Sequence, residues 1–210
     1  MLEKKWWHEK AAYQIYPKSF YDTNGDGIGD LNGITEHLDY LKELGVDVIW
    51  LSPIYKSPND DNGYDISDYQ DIMTDFGTME DFDRMIAEMH KRGIKLVMDL
   101  VVNHSSDEHR WFLEKQKNQK TIRIVITISG KDPKRWQRAK ITGAHASEGS
   151  VWEFERKKQE CIICIASPKN SRNLNWENPV VRDEVINMMT WWCEKGCRWF
   201  PYGRYQHDLQ

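Results

Sequence analysis

The sequence lacks a net positive charge, and it lacks any long basic or long apolar run. Its 210 residues include 29 lysines and arginines against 33 aspartates and glutamates, for a formal net charge of −4, and the isoelectric point is near 6.0. This balance gives no electrostatic basis for binding nucleic acid. No apolar stretch is long enough to span a bilayer, and the first residues lack the apolar core of a secretory signal. The sequence therefore predicts a cytoplasmic protein that binds neither nucleic acid nor membrane.

Cysteine is also scarce, and the four residues present do not form a clear metal site. They are Cys161, Cys164, Cys193 and Cys197, two pairs that a zinc ion could bind. The spacing is loose, however, and neither a histidine nor a turn-forming glycine supports the first pair. Zinc binding is therefore the weaker interpretation of these cysteines.

What the sequence does contain is a strongly apolar stretch over residues 95–106, which reads Lys-Leu-Val-Met-Asp-Leu-Val-Val-Asn-His-Ser-Ser. Apolar and β-branched residues without alternation predict a strand over 95–103, buried in a parallel sheet that helices cover. Asn103 and His104 come where this strand ends, and barrel and open α/β enzymes keep their active sites at that face. The alternative is that His104 only hydrogen-bonds to a neighbouring loop, and this stretch alone does not decide between the two.

Strands and helices alternate along the first half of the chain. Strands are predicted over Ala12–Pro17 and Val46–Leu51. Helices are predicted over Leu31–Leu44 and Met79–Arg92, and a glycine follows each helix and ends it. Repeated strand–helix units with short connections predict a parallel sheet, with the loops after its strands gathered at one face. The inward helix positions are Leu31, Ile34, Leu38, Leu41, Leu44, Phe82, Met85, Ile86 and Met89.

The loop after the first predicted strand is rich in oxygen-bearing side chains. Residues 22–30 read Asp-Thr-Asn-Gly-Asp-Gly-Ile-Gly-Asp, which suits a tight loop around a calcium ion with its about six to eight oxygen ligands. The first half matches an EF-hand loop, but the twelfth position is Gly33 instead of glutamate, and a strand precedes the loop. We therefore predict a calcium loop of another kind; a Gly/Asp-rich turn without an ion is the alternative.

Five segments together carry a resemblance to a known family. They are Gln14–Pro17, Gly25–Leu31, Ile49–Pro53, Asp61–Asp65 and Asp99–His104. In this order and spacing they resemble the α-amylase family of glycoside hydrolases, and within it the oligo-1,6-glucosidase and α-glucosidase branch. The resemblance is almost continuous over residues 1–115 and returns over residues 173–196.

The resemblance implies a (β/α)8 TIM barrel with a loop-rich domain B inserted after the third strand. Residues 1–104 would form the first part of the barrel, residues 105–175 domain B, and residues 176–210 the third barrel helix and a garbled fourth strand. The expected fold class is therefore α/β, as an incomplete barrel with its first three βα units and a disrupted domain B.

The resemblance also implies which residues bind ligands. Asp61 and His104 would hydrogen-bond the hydroxyls of the non-reducing glucose, and the ring of Tyr64 would form a flat platform for the sugar. A structural calcium ion would lie in the loop after the first strand. Its implied ligands are Asp22, Asn24, Asp26, Asp30 and the carbonyl of Ile28.

The sequence departs from the family over about residues 105–175 and again after Gly196. After Gly196 the family continues with Asp-Gly-Phe-Arg-Met-Asp-Val, which supplies the transition-state arginine and the nucleophilic aspartate. This chain reads Cys-Arg-Trp-Phe-Pro-Tyr-Gly instead. Slipped reading frames are our hypothesis: with permitted codons, Cys197–Leu209 read one base later gives Val-Asp-Gly-Phe-Arg-Met-Asp-Val-Ile-Asn-Met-Ile. Ile122–Gly130 and Cys161–Ile165, read two bases later, give runs typical of domain B. A truly divergent domain B is the alternative.

On this hypothesis the chain contains no catalytic carboxylate. The nucleophile position falls at Gly203, the arginine position falls at Pro201, and the remaining carboxylates would lie beyond the last residue. Retaining glycoside hydrolysis needs two carboxyl groups. We therefore expect the 210-residue chain to be an inactive fragment.

For the whole enzyme we expect a monomer that hydrolyses terminal α-1,6 (or α-1,4) glucosidic bonds of isomalto-oligosaccharides and dextrins with retention. The alternatives within the family are a trehalose-6-phosphate hydrolase and a sucrose isomerase, which loops after the fourth strand would distinguish. A non-catalytic amylase-like binding protein is a further alternative. Such a protein needs a membrane anchor and need not keep Asp61, Tyr64 and His104.

Overall fold

The computed structural model describes residues 5–117, 152–154, 162–164 and 171–199. The α-helices are α1 Leu31–Glu36, α2 Leu38–Glu43, α3 Met79–Lys91, α4 Arg110–Lys117 and α5 Pro179–Glu194. The strands are β1 Ala12–Ile15, β2 Val48–Leu51, β3 Tyr55–Lys56, β4 Asp68–Ile72, β5 Lys95–Met98, β6 His104–Ser106, β7 Trp152–Phe154, β8 Ile162–Cys164, β9 Ser171–Asn173 and β10 Arg198–Trp199. Short 3-10 helices cover Pro17–Ser19 and Thr74–Phe76.

The chain divides into two compact units. The first comprises Met1–Lys56, Gln70–Leu100 and Met188–Gln210, and the second comprises Ser57–Tyr69 and Val101–Asn187. No helix in the described part of either unit is long and apolar enough to cross a membrane.

A parallel sheet in the order β1-β2-β5-β10 forms the centre of the first unit. Its inner strands are apolar on both faces, with Ile49 and Leu96 fully buried, as expected of a sheet covered by helices. The predicted α/β class with a parallel sheet is confirmed. The segment after Gly196 contributes the fourth strand, in which Arg198 pairs with Val97.

Helix α3 forms where its sequence predicts it. Thr78 and Asp81 make a reciprocal capping box, in which Thr78 Oγ1 accepts the N–H of Asp81 and Asp81 Oδ2 accepts the N–H of Thr78. The helix ends before Gly93, which has a φ of 70°. Its predicted inward side chains Phe82, Met85, Ile86 and Met89 are all buried.

The predicted helix over Leu31–Leu44 is wrong as one continuous element, because it breaks at His37. The imidazole of His37 donates to the carbonyl of Gly33 at 2.8 Å, so the side chain occupies the acceptor that the helical N–H of His37 would use. That N–H bonds to Ile34 O instead. Leu44, predicted to face inward, is exposed at 57 %.

The predicted strand over 95–103 is likewise too long, since β5 ends at Met98. The hydroxyl of Tyr55 donates to the carbonyl of Asp99 at 2.7 Å, and the chain leaves the sheet ladder there. His104 begins a separate short strand, β6, which pairs antiparallel with β9. His104 therefore does not stand directly at the end of the parallel strand.

Two leucines on α2 and its C-terminal cap give a matched test of the packing in the first unit. Leu41 is fully buried, whereas Leu44 is mostly exposed. We expect Leu41→Ala to lower the free energy of unfolding by about 2–5 kcal/mol through lost burial and a cavity, and Leu44→Ala to change it by less than about 0.5 kcal/mol. Urea unfolding of the two variants measures both values. Equal losses in the two variants would contradict this packing.

Helix α5 has an apolar face between residues 181 and 192. Its side chains Val181, Val185, Met188 and Trp192 are buried, while Met189 is half-buried. Trp192, in the first unit, packs edge-on against Phe82 with ring centroids 5.0 Å apart, and against Tyr55 at 5.8 Å. A helix thus lies within residues 176–210, where the family resemblance implied one.

The described part of the second unit contains two antiparallel strand pairs, β6 with β9 and β7 with β8. Helix α4 follows β6. Trp111 and Phe112 at its start are buried.

Candidate functional site

In the second unit, the buried carboxylate of Asp65 accepts hydrogen bonds from the loop over residues 57–65. Oδ1 of Asp65 accepts the hydroxyl of Ser57 at 2.8 Å and the N–H of Asp61 at 3.1 Å, and Oδ2 accepts the N–H of Asp60 at 2.9 Å. Hydrogen bonds to an ionised acceptor are stronger than neutral ones. They hold the backbone of Asp61 in place.

The backbone of this loop turns sharply on both sides of Asp61. Asn59 and Asn62 have positive φ values of 66° and 52°, and Gly63 has a φ of 90°, a region that asparagine and glycine adopt most readily. The N–H of Tyr64 donates to the carbonyl of Asp61 at 3.0 Å. This turn explains why residues 59–63 read Asn-Asp-Asp-Asn-Gly.

Two sets of hydrogen bonds fix the backbone of the strand that carries His104. Pairing of β6 with β9 places His104 opposite Asn173. The hydroxyl of Tyr69 donates to the carbonyl of His104 at 2.9 Å, and the N–H of Ser106 donates to the carbonyl of Ile66 at 2.9 Å. The segment that follows Asp65 is thus hydrogen-bonded to the strand that carries His104.

The three residues predicted to bind glucose come together in the second unit. Burial lowers the pKa of His104, whereas the carboxylate of Asp61 and the backbone of Tyr64 act in the opposite direction. Burial raises the pKa of Asp61, and the charge on His104 opposes this rise. Asp61 and His104 therefore interact electrostatically next to Tyr64.

This cluster offers hydrogen-bonding capacity to a ligand. Nε2 of His104 is buried and has no hydrogen-bond partner among the described residues, although a buried polar atom normally has one. Beside it, the carboxylate of Asp61, when ionised, accepts hydrogen bonds through both of its oxygens. An imidazole and a carboxylate placed together suit a ligand with several hydroxyl groups.

The loop predicted to bind calcium, in the first unit, is ordered by its own carboxylates. Asp22 accepts the N–H groups of Gly25 and Gly27 at 2.7 and 2.8 Å; these bonds, that of Gly27 most, lower its pKa. Asp26 accepts the N–H of Ile28, and Asp30 accepts that of Gly33 at the start of α1. Within the described ranges, no group of three acidic, histidine or cysteine side chains is close enough to hold a metal ion.

Glycine is required at position 33, in helix α1 directly after this loop. A Cβ atom on Gly33 would lie 2.2 Å from the carbonyl oxygen of Tyr21, a distance at which the backbone would have to move. The ring of Tyr21 in turn packs against His37, with centroids 4.2 Å apart. Gly33 is thus explained by a close backbone approach, whether or not an ion is bound.

Several predicted positions lie outside the residues that the structure describes. These are the nucleophile and arginine positions at Gly203 and Pro201, and Cys161 of the first cysteine pair. Cys193 and Cys197 are free thiols, one exposed and one buried.

An aromatic cluster without a predicted role is hydrogen-bonded to β6 through Tyr69 and the backbone of His109. The rings of His109, Tyr69 and Trp111 contact one another: the His109 centroid is 5.3 Å from that of Tyr69 and 4.3 Å from that of Trp111, and the last two are 5.9 Å apart. Nδ1 of His109 accepts the N–H of Trp111 at 3.2 Å, and burial lowers the pKa of His109 to about 3. The buried sequence around His109 gave no periodic signal that could have revealed this cluster.

This histidine makes the stability of the chain depend on pH. Above about pH 6.5 its imidazole is neutral in both states, but at lower pH the unfolded chain binds a proton that the folded chain binds only near pH 3. We expect the free energy of unfolding to fall by about 2 kcal/mol from pH 7 to pH 5 on account of His109. Urea unfolding at the two pH values should show a correspondingly smaller fall for His109→Gln; the same fall in both proteins would contradict this role.

The parallel sheet β1-β2-β5-β10 and its helices make the first unit an α/β protein. A model of the alpha-amylase catalytic domain matches residues 14–200. The chain belongs to the alpha-amylase family.

Its relatives include enzymes that cleave glucosidic bonds. The chain is 56 % identical over 200 residues to an oligo-1,6-glucosidase from Parageobacillus thermoglucosidasius, covering 93 % of this chain and 34 % of that enzyme. Over 195 residues it is 49 % identical to a glucan 1,6-alpha-glucosidase from Streptococcus pneumoniae, covering 93 % and 35 %. The chain thus spans about a third of the length of these relatives.

Solved structures of related enzymes are similar in fold. The trehalose-6-phosphate hydrolase of Bacillus licheniformis matches with a TM-score of 0.80 and 45 % identity, over 93 % of this chain and 36 % of that one. The isomaltulose synthase SmuA from Protaminobacter rubrum matches with a TM-score of 0.80 and 43 % identity, over 94 % and 36 %.

Proposed function

We propose that this chain supplies the glucose-binding part of an oligo-1,6-glucosidase-like enzyme. The enzyme would hydrolyse terminal α-1,6-glucosidic bonds of isomalto-oligosaccharides with retention. The observation that carries the proposal is the cluster of Asp61, Tyr64 and His104, with its buried and unpartnered Nε2 atom among the described residues.

In this proposal the cluster binds the hydroxyl groups of the terminal glucose. Asp61 accepts hydrogen bonds from them, His104 contributes its free ring nitrogen, and Tyr64 offers an aromatic face to the sugar. Bonds that tighten as the ring flattens towards an oxocarbenium ion stabilise the transition state more than the bound substrate. The two carboxyl groups that retaining hydrolysis requires would come from outside the described residues.

The proposal extends to the architecture. The strands β1, β2, β5 and β10 would be the first four of an eight-stranded barrel. Residues 105–175 would form a domain B inserted after the third strand. The antiparallel pairs β6–β9 and β7–β8 support such an insertion, since they belong to sheets other than the parallel one.

A full-length chimera tests the glucose-binding role. It joins residues 1–117 of this chain to the remaining part of the Parageobacillus thermoglucosidasius oligo-1,6-glucosidase, so that the catalytic carboxylates come from the relative. We expect the chimera to release glucose from isomaltose, and the 210-residue chain alone to release none. A folded chimera without activity would reject the proposed role.

The structural neighbours favour a second candidate function. They are a trehalose-6-phosphate hydrolase and an isomaltulose synthase, and the first strands alone do not separate these activities from glucosidase activity. A panel of isomaltose, trehalose 6-phosphate and sucrose, offered to the full-length product of this gene, discriminates between them. Preference for isomaltose supports the first proposal, and preference for either other sugar replaces it.

We also propose that the loop Asp22–Asp30 binds a structural calcium ion. Each carboxylate oxygen has two lone-pair sites. Oδ1 of Asp22 already accepts two N–H groups and Oδ2 of Asp30 accepts two donors from Thr23. Oδ2 of Asp22 and both oxygens of Asp26 accept one hydrogen bond each and keep capacity for a cation. The carbonyl of Ile28 and the amide of Asn24 would complete an all-oxygen set of the kind that calcium prefers.

Calcium should therefore stabilise the chain through this loop. We expect the free energy of unfolding to rise by about 2.7 kcal/mol when free Ca²⁺ reaches about 100 times its dissociation constant. Thermal unfolding with EDTA and with increasing CaCl2 measures this rise, and Asp26→Ala should abolish it. A melting temperature that is the same with EDTA and with millimolar Ca²⁺ would reject the calcium site.

A further inference from the structure

We propose that Asp65 is a positioning residue, which places the Asp61 carboxylate for sugar binding by holding the backbone on either side of it. The proposal rests on the proposed function, because it concerns the same glucose-binding cluster. It adds a residue that would not touch the sugar and would act through Asp61.

Burial of Asp65 is the first observation. Its relative exposure is 0 %, and a buried carboxylate is costly unless donors surround it. The donors are Ser57 Oγ and the N–H groups of Asp60 and Asp61. All three belong to one short loop, so that loop cannot move away without leaving a buried charge unsatisfied.

The second observation is where the chain goes after Asp65. Ile66 is buried and its carbonyl accepts the N–H of Ser106, while the hydroxyl of Tyr69 donates to the carbonyl of His104. A continuous set of bonds therefore runs from the backbone of Asp61 through Asp65 to the strand of His104. This set fixes Asp61 relative to His104, which is what a hydroxyl group bound by both would require.

Asparagine at position 65 would have the same shape as aspartate but one hydrogen-bond acceptor fewer. Its NH2 group would face the N–H of Asp60 or of Asp61, and two donors repel one another. The Asp60–Asp61 backbone would then shift, and displacements of about 1 Å in a catalytic site can cost about 100-fold. We expect Asp65→Asn in the chimera to lower kcat/KM for isomaltose by about 10- to 100-fold.

A structural role alone would not make this loss depend on Asp61, so a double-mutant cycle tests the proposal. In an Asp61→Asn background, Asp65→Asn should lower kcat/KM by less than about 3-fold, because the carboxylate to be positioned is gone. Ser57→Ala, which spares the bond between Asp65 and Asp61, should cost less than about 3-fold. Asp71→Asn is the matched surface control, since its carboxylate pairs only with exposed Lys56 and its own neighbour Ile72 among the bonds described, and it should leave kcat/KM unchanged.

These experiments distinguish failure of the positioning role from failure of the proposed function. A loss of the same size with and without Asp61 would overturn the proposal, as would a lowered melting temperature with kcat/KM within about 3-fold. If the unsubstituted chimera releases no glucose, the proposed function fails, and hydrogen exchange decides on Asp65. Faster exchange of the Asp60 and Asp61 amides in Asp65→Asn would then support only the statement that Asp65 holds the backbone of this loop, and unchanged exchange would overturn that statement too.

Discussion

Asp61→Asn in the chimera should lower kcat/KM for isomaltose by about 10²- to 10³-fold, the range seen when one group that stabilises a transition state is removed. The substitution removes the charge that interacts with His104 and replaces one accepting oxygen by a donor. If the bond to the sugar tightens in the transition state, kcat falls more than KM rises. Steady-state kinetics on isomaltose separates the two parameters.

The neighbouring Asp60→Asn is the matched control for this prediction. Asp60 is exposed, and its backbone N–H, which bonds to Asp65, remains after the substitution. We expect its kcat/KM to stay within about 3-fold of the unsubstituted chimera. Similar losses from the two substitutions would mean that Asp61 has no special role.

Restoring the reading frame after Gly196 should have an all-or-none effect. Read one base later, the segment from Cys197 gives an arginine at position 201 and an aspartate at position 203, the two residues that the resemblance implies for catalysis. A retaining glycosidase lacking its nucleophile loses nearly all of an acceleration that is at least about 10⁶-fold for enzymes in general. We therefore expect full-length protein from the corrected frame to hydrolyse isomaltose, and the 210-residue chain to show no detectable turnover.

Sequencing of the coding DNA from codon 115 onward checks the premise of this prediction. Single-base slips near codons 122, 161 and 197 would support it. If the DNA encodes the chain as it stands, the segment after Gly196 is a genuine sequence and the frame hypothesis is wrong. Isomaltose hydrolysis by the 210-residue chain would contradict the predicted lack of activity directly.

Local patterns were enough to predict the elements whose stability is local. Helix α3 has its capping box, its apolar face and its final glycine in one continuous stretch, and the structure places it within one residue of the predicted end. The buried strands β2 and β5 were likewise evident from uninterrupted apolar residues. The family motifs added Asp61, Tyr64 and His104, which the structure brings together.

The errors arose where tertiary contacts decide the outcome. No periodicity shows that the His37 side chain takes the carbonyl of Gly33 and breaks a helix, or that the Tyr55 hydroxyl takes the carbonyl of Asp99 and ends a strand. The role of Asp65 was missed for the same reason. Only the folded loop shows that its carboxylate is buried and accepts the N–H groups of Asp60 and Asp61.

Isomaltose hydrolysis by the chimera, followed by proton NMR, tests the central claim most directly, because the only new part of that enzyme is residues 1–117 of this chain. We predict that α-glucose is released first, with a kcat/KM within about tenfold of the parent oligo-1,6-glucosidase. A folded chimera that releases no glucose would show that Asp61, Tyr64 and His104 do not form a working glucose site.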